Sequence, residues 1–348
     1  MSQNPGKSAG LRKAFARQWK TNPLFSTGMA LLVLVILQTI QIGFNYASLG
    51  EWFAKFSKNW LNILLNNSYV GMIALGMTFV IISGGIDLAV GSTLVGVGAL
   101  VMVLINVKDN GLLLSMGITG IPAVLIGVSA GILLGFLMGE LNGVAITKGR
   151  VPPFIVTLGT MKIFRSVTQY FMQTQKGITL PDSFKMISKA PIGGNIVLPI
   201  LYWLILAVIM YVISKHTAFG RYIYAVGSNE RTTRLSGINV DRVKRRVYVL
   251  MGVIVSIASI VQIARIGSMD YASAGSGYEM DAIAAVIIGG TSMSGGRGSI
   301  VGTVLGTLII AVMNNLLTLI GVDPFLREAF QGAIVVAAVL MQRKEQTA

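Results

Sequence analysis

The chain has 348 residues, 53% of them hydrophobic and only 12% charged, with a net charge of +15, a single histidine and no cysteine. That balance excludes an ordinary soluble domain, and the lack of cysteine excludes disulfides and thiolate metal sites. The Lys and Arg sit mostly in short segments between apolar runs rather than on one soluble face, so nucleic acid is excluded as the partner of the positive charge.

Runs such as Ile196–Ile213 do not alternate in polarity, which argues against a closed barrel. The expectation is an all-α, polytopic membrane protein. Residues 1–23 form a basic tail with Lys7, Arg12, Lys13, Arg17 and Lys20. The apolar run after it continues to about Phe44, longer than a signal core, and no small-x-small cleavage site closes it. About 20 apolar residues cross a bilayer, which predicts ten transmembrane helices. They lie near Leu24–Phe44, Leu61–Ser83, Leu88–Asn106, Ile121–Thr147, Pro153–Met172, Ile196–Ile213, Val247–Ala264, Ala282–Thr291, Ile300–Leu319 and Phe325–Met341. The transmembrane domain therefore covers 24–341, and 342–348 is a second tail. The 41 glycines suit helices whose backbones approach closely.

Charge orients the spans. The central loop 214–246 carries Lys215, Arg221, Arg231, Arg234, Arg242, Lys244, Arg245 and Arg246 against Glu230 and Asp241. Short basic loops stay inside, so this loop and both termini are expected in the cytoplasm. Outer segments hold fewer cations: Lys55, Lys58, Lys108, Lys176, Lys185, Lys189 and Arg265.

Two glycine-rich passages, Ile82–Ser92 and Gly289–Ser299, interrupt apolar sequence. Paired interruptions point to duplicated halves and to broken helices beside a pathway; tight turns between helices are the simpler reading. No catalytic constellation is present. His216 stands alone at a span boundary, and Gly290-Thr-Ser-Met-Ser-Gly-Gly-Arg has Gly296 where a phosphate loop needs lysine. Transport driven by ATP would therefore place the nucleotide on another chain. The outer segment Gln173–Asn195 reads as a solvated loop or a docking surface for an external partner.

Polar groups in apolar surroundings face a bundle interior or a wet cavity. The candidates for a translocation path are Asn66, Asn67, Asp87, Asn142, Phe154, Asn314 and Asn315, while interhelical hydrogen bonding is the bland reading for any single Asn. Arg165 and Gln262 lie in similar surroundings. Glu140 and Lys162 lie at similar depths on spans joined only by Lys148–Pro152, and a lone charge there costs roughly 3 kcal/mol. An ion pair between Glu140 and Lys162 is expected.

Several stretches together resemble a known family. Phe219-Gly-Arg-Tyr-Ile-Tyr-Ala-Val-Gly-Ser-Asn-Glu, continuing through Arg234-Leu-Ser-Gly-Ile-Asn-Val, is similar to the central cytoplasmic loop of bacterial monosaccharide ABC permeases. Gly76–Ser92 resembles their second-to-third span motif, and Gly277–Ser292 with Asn314-Asn-Leu-Leu resembles their carboxy-terminal half. The match runs in family order from about Asn59 to Val339 and is most like the ribose-type branch. Ser228 departs from the glycine common in the loop, and Lys162 is an unexpected charge within a span.

The resemblance implies a multi-pass protein of the bacterial inner membrane that imports a monosaccharide, ribose or a related simple sugar, by alternating access. It implies a second permease copy or a closely related permease, an ABC ATPase subunit binding ATP-Mg on the cytoplasmic side, and a sugar-binding protein outside. It implies no cofactor on this chain. Gly220, Arg221, Ala225, Gly227, Asn229, Arg234, Gly237 and Ile238 would form the surface coupled to the ATPase. The alternative is a stand-alone, ion-coupled secondary transporter, with Glu140 as its weak candidate carboxylate.

Overall fold

The computed structural model describes residues 23–43, 46–108, 111–175, 178–323, 326–330, 332, 333 and 336. The basic tail up to residue 22, Lys176, most of the tenth expected span and the tail 342–348 lie outside the described residues.

Apolar sequence in lipid has no water to satisfy its backbone, so it closes its hydrogen bonds within helices. The elements are α1 (Pro23–Ile42), α2 (Leu49–Ile82), α3 (Val90–Leu104), a single turn α4 (Leu112–Ser115), α5 (Gly120–Thr147) and α6 (Pro153–Met172). After these come α7 (Asp182–Lys189), a two-residue hairpin β1 (Pro191–Ile192) and β2 (Asn195–Ile196), and α8 (Leu198–His216). The second half holds α9 (Ala218–Ser228), α10 (Glu230–Leu235), α11 (Val240–Ile266), α12 (Tyr278–Ile288) and α13 (Ile300–Leu319). Six of them, α1, α2, α5, α8, α11 and α13, are long and apolar enough to cross a membrane.

Helix α2 begins twelve residues before the expected span. Ser48 accepts a hydrogen bond from the Glu51 backbone N–H at 3.2 Å, and the Glu51 carboxylate accepts one from Ala47 N–H at 3.2 Å. That Ser-x-x-Glu arrangement starts a helix ahead of the apolar run, and Trp52 and Phe56 stack at 5.1 Å along the extension. Similarly, α11 starts at Val240 because Asn239 caps it through Arg242 N–H at 2.9 Å.

The core is the second half of α2 with α11, α12 and the start of α3. Met72–Leu75, Val80, Leu94, Met251 and Ala258 are fully enclosed. Around them, α1 and α8 expose Leu32, Ile36, Ile40, Ile205 and Val208. Large apolar side chains on the outer surface suit a lipid solvent. Helices α5 and α11 make the most extensive pairing. Gly127, Gly131, Gly135, Gly139 and Gly143 recur every fourth residue along α5, so they share one face, and all are buried. A Cβ on Gly135 would lie 2.5 Å from the Gly252 carbonyl oxygen, and a Cβ on Gly252 would lie 3.1 Å from Gly139 N. The two backbones touch, which is how small residues join helices in lipid.

The segment Gln173–Asn195 is more than a solvated loop. Helix α7 lies against α11, burying Phe184 and donating Ser188 Oγ–H to the Val261 carbonyl at 2.8 Å. Thr179 N–H bonds Asn106 Oδ1 at 2.8 Å, tying the segment to the end of α3.

Candidate functional site

The breaks between helices gather at the two ends of the bundle and in its middle. The end that carries the polar loop 214–246 is called here the basic end. Three glycine passages meet near it. Helix α2 stops at Ser83, and Gly84 turns the chain with φ +81°. The Ile82 carbonyl, left without an intrahelical partner, accepts Gly296 N–H at 2.9 Å. Gly227 of α9 lies directly over this contact, where a Cβ would overlap the Ile82 carbonyl and come within 2.6 Å of Gly296 N. Tyr224 donates to the Gly298 carbonyl at 3.0 Å. Thus α9 rests on both glycine-rich passages named from the sequence, 82–92 and 289–299.

The capping of α9 and α10 explains why this loop is ordered. Thr217 accepts Gly220 N–H at 3.1 Å and Asn229 accepts Thr232 N–H at 2.9 Å, so each short helix has its side-chain cap. Asn229 N–H in turn closes α9 on the Ala225 carbonyl at 3.1 Å. Gly220 is buried against the end of α8, Gly237 turns the chain toward α11 with φ +81°, and Ile238 packs against the core. Ile223 and Val226 face inward, whereas Arg221, Arg231 and Leu235 face outward, Leu235 at 82% exposure.

Arg234 is not part of that outward set alone. It donates to Asp241 at 3.0 Å and to Glu230 at 3.4 Å, while Lys244 bonds Glu230 at 2.7 Å. The hydrogen bond to Asp241, then that carboxylate's charge, lifts the Arg234 pKa above its ordinary value. These charges, with Arg150, line a polar cavity of about 570 Å³ beside the α5–α6 turn. Nothing in the residue pattern marks Leu235 as an exposed apolar tip, since Thr-Arg-Leu-Ser reads equally well with Leu turned inward.

Inside the bundle a second junction appears. Tyr248 Oη–H, eight residues into α11, donates to the Ile86 carbonyl at 3.2 Å, and Thr157 Oγ1–H of α6 reaches the same oxygen at 3.3 Å. The 83–89 break therefore sits about 12 Å inside the start of α11. From the opposite end the passage 267–277 descends until Arg165, twelve residues into α6, donates to the Ala274 carbonyl at 2.6 Å. Gly275, with φ +69°, meets Gly91 so closely that a Cβ on it would lie 2.6 Å from the Gly91 oxygen. Helices α3 and α12, only 15 and 11 residues long, start beside each other here and run to opposite ends. The 82–92 interruption is thus a broken helix, and its partner inside the bundle is 267–277. The 289–299 passage is instead a turn at the basic end.

The candidate path residues do not converge on one cavity. Asn66 accepts Arg265 Nη2–H at 2.6 Å near the opposite end, beside Tyr69, which stacks on Tyr278 at 5.7 Å. Asn67 bonds the Ile63 carbonyl of its own helix at 2.8 Å. Asn315 exchanges hydrogen bonds with Asn59 and accepts Gln38 at 3.0 Å, joining α1, α2 and α13. Asn314 sits half-buried beside Asn315. Asp87 is buried and accepts Ala89 N–H at 2.9 Å, holding the start of α3. Asn142 is buried on α5, its Oδ1 without a hydrogen-bond partner among the described residues. Phe154 is exposed on α6. A groove of about 620 Å³ between α3, α5 and α6 is lined by Leu100, Leu137, Met138 and Phe164, with too few polar groups to hold a sugar.

The expected Glu140–Lys162 pair is corrected. Glu140 instead accepts Arg245 Nε–H at 2.8 Å in a bidentate pair. The glycine ladder turns that side of α5 toward α11, so the acid meets the last turn of charge leaving the loop. Lys162 points away on the outer face of α6 and makes no salt bridge among the described residues.

Comparison with known proteins places this arrangement. A family model described as "Branched-chain amino acid transport system / permease component" matches residues 59–339. The ribose import permease protein RbsC of Escherichia coli (strain K12) is 37% identical over 341 residues, covering 96% of this chain and 98% of that protein. RbsC of Bacillus subtilis (strain 168) is 41% identical over 289 residues, covering 82% and 85%. The D-allose transport system permease protein AlsC of E. coli (strain K12) is 33% identical over 298 residues, covering 86% and 87%. No solved structure matches the chain. With the family model spanning most of the chain, and relatives aligned almost from end to end, this protein belongs to the ribose-type branch of the ABC transporter permeases.

Proposed function

We propose that this chain is the membrane-spanning subunit of a binding-protein-dependent ABC importer for a monosaccharide, ribose or a related simple sugar. The observation that carries the reading is the near-complete alignment with a ribose import permease, over 96% of this chain and 98% of that protein. The capped platform α9–α10, resting on the 82–92 and 289–299 passages, supports a docking role. A separate ATPase, holding ATP-Mg, meets the outward residues Arg221, Arg231 and Leu235. Force on α9 passes through Gly227 to the Ile82 carbonyl at the end of α2, whose second half lies in the core of the bundle. Sugar arrives from a binding protein at the opposite end, and a second copy or a closely related permease completes the path.

In this reading the basic end lies in the cytoplasm of a bacterium, the protein sits in the inner membrane, and ten spans place both termini inside. A secondary transporter is disfavoured, because Glu140 is held by Arg245 close to the basic end.

Reconstituted into proteoliposomes, the permease should take up ribose only with the ATPase, the binding protein and ATP present. Uptake by the permease alone on an ion gradient would overturn the importer reading. In the assembled complex, Arg231→Glu combined with Leu235→Asp should lower sugar-stimulated ATP hydrolysis roughly tenfold, since together they lose about 1–2 kcal/mol of interface energy. Unchanged stimulation would remove α10 from the docking surface.

Orientation has its own check. Ser183 and Ser236 are both exposed. Single cysteines there should differ toward an impermeant thiol reagent, Ser183→Cys reacting in intact cells and Ser236→Cys only after permeabilisation. Equal labelling would put both segments on one side and refute the assignment.

A further inference from the structure

Helix α6 is long enough to cross a membrane but is not among the six helices apolar enough to do so. The structure shows where its polarity lies. Val156, Thr157, Thr160, Phe164 and Thr168 are buried against the bundle. Of the surface left open, one strip is apolar, with Ile163, Val167 and Phe171 on the groove beside α3 and α5. The side pointing most directly away from the bundle exposes Ile155, Gly159, Lys162, Ser166 and Gln173, which share one helix face, while Gln169 on the same side is half-buried and donates to the Ala272 carbonyl at 3.5 Å.

A polar stripe ending in lipid is expensive, and a lysine in its middle more so, because hydrocarbon solvates neither amide nor ammonium. Lys162 lies about 14 Å from the first residue of α6 and about 15 Å from the last, too deep in the span for an easy reach to either surface. The other cation of this helix, Arg165, is bonded to the Ala274 carbonyl and lies in the field of Glu279 and Asp270. The acid once expected for Lys162, Glu140, belongs to Arg245. Lys162 therefore stands on an open polar stripe at mid-depth with its charge unmatched by any salt bridge among the described residues.

We propose that this stripe faces the water-filled translocation path and that Lys162 is a selectivity residue there, favouring a sugar carrying an anionic group, such as an aldonate, over a neutral or cationic sugar. The inference rests on the importer reading and narrows its substrate class. Ser166 and Gln173 offer hydrogen bonds to hydroxyls, and the ammonium supplies the charge that a carboxylate meets in a low-dielectric surrounding. A second copy facing the first would present the same charge twice.

The chain is naturally free of cysteine, so single cysteines at Gly159→Cys and Ser166→Cys report on this stripe without interference. In membranes carrying the full chain with its ATPase, both should react with an anionic thiosulfonate about tenfold faster than with a cationic one, each rate normalised to free thiol. Lys162→Gln should remove that preference and Lys162→Arg should keep it. D-ribonate should slow modification at Ser166→Cys at lower concentration than D-ribose, and this difference should vanish with Lys162→Gln. No reaction at either cysteine would overturn the wet path. Reaction without charge preference, or with a preference unchanged in Lys162→Gln, would overturn the role of Lys162. Protection by D-ribose equal to or better than that by D-ribonate would overturn the substrate class. Monodisperse elution in detergent identifies folded variants, and Lys162→Glu serves if Lys162→Gln does not fold, with a reversed preference expected. None of these outcomes depends on ATP-driven ribose uptake, which tests the importer reading separately.

Discussion

Gly227→Val should yield a permease that is poorly folded in detergent, with its unfolding midpoint lowered well below that of the unaltered chain. The glycine is not needed for a left-handed backbone, since its φ is not positive. It is needed because the Ile82 carbonyl and Gly296 N occupy the space of any side chain. A valine would force α9 away from α2 and break the 2.9 Å hydrogen bond between Gly296 N–H and Ile82 O. Leaving those buried groups unpaired costs about 1–3 kcal/mol, and overpacking costs about as much again. Gly237→Val is the control. Gly237 has φ +81° but open space around it, so only backbone strain of roughly 1–2 kcal/mol is expected. Equal midpoints for the two variants would show that the close contact beneath Gly227 carries no weight.

The other large effect is expected at the α5–α11 crossing. Gly252→Leu puts a branched side chain where the Gly135 carbonyl carbon is 3.0 Å and Gly139 N 3.1 Å from the Cβ position. These neighbours are backbone and cannot rotate aside, so the helices must separate along their length. Separation would also pull Arg245 from Glu140 at the basic end, exposing two charges that now satisfy each other. The loss should exceed the ~1–3 kcal/mol usual for overpacking a core, seen as aggregation on size exclusion. Gly252→Ala should be intermediate. A monodisperse Gly252→Leu protein with an unchanged midpoint would mean that the glycine ladder does not set this crossing. By contrast, Gly159→Leu on the open face of α6 has nothing within 4 Å of its Cβ and should leave the fold intact.

The helical class, the six helices long and apolar enough to cross a membrane, the basic end and the family were all legible in the sequence. Each depends on a property that is additive along the chain: hydropathy summed over a window, charge counted in a loop, or residues matched in order. The early start of α2 was also written there, in Ser48-Leu-Gly-Glu51, although hydropathy alone starts the span later because Glu51, Lys55 and Lys58 dilute it. Tertiary structure alone decided which groups meet. Glu140 and Lys162 share a depth, but depth does not determine azimuth; five glycines on one face of α5 press that helix on α11 and present Glu140 to Arg245. The same limit hid the junction of Gly91 with Gly275, nearly two hundred residues apart, and turned the polar stripe of α6 outward. Distance along an axis can be counted from residue number, whereas the direction a side chain faces depends on which neighbour can approach, and in this chain small residues on distant helices settle that.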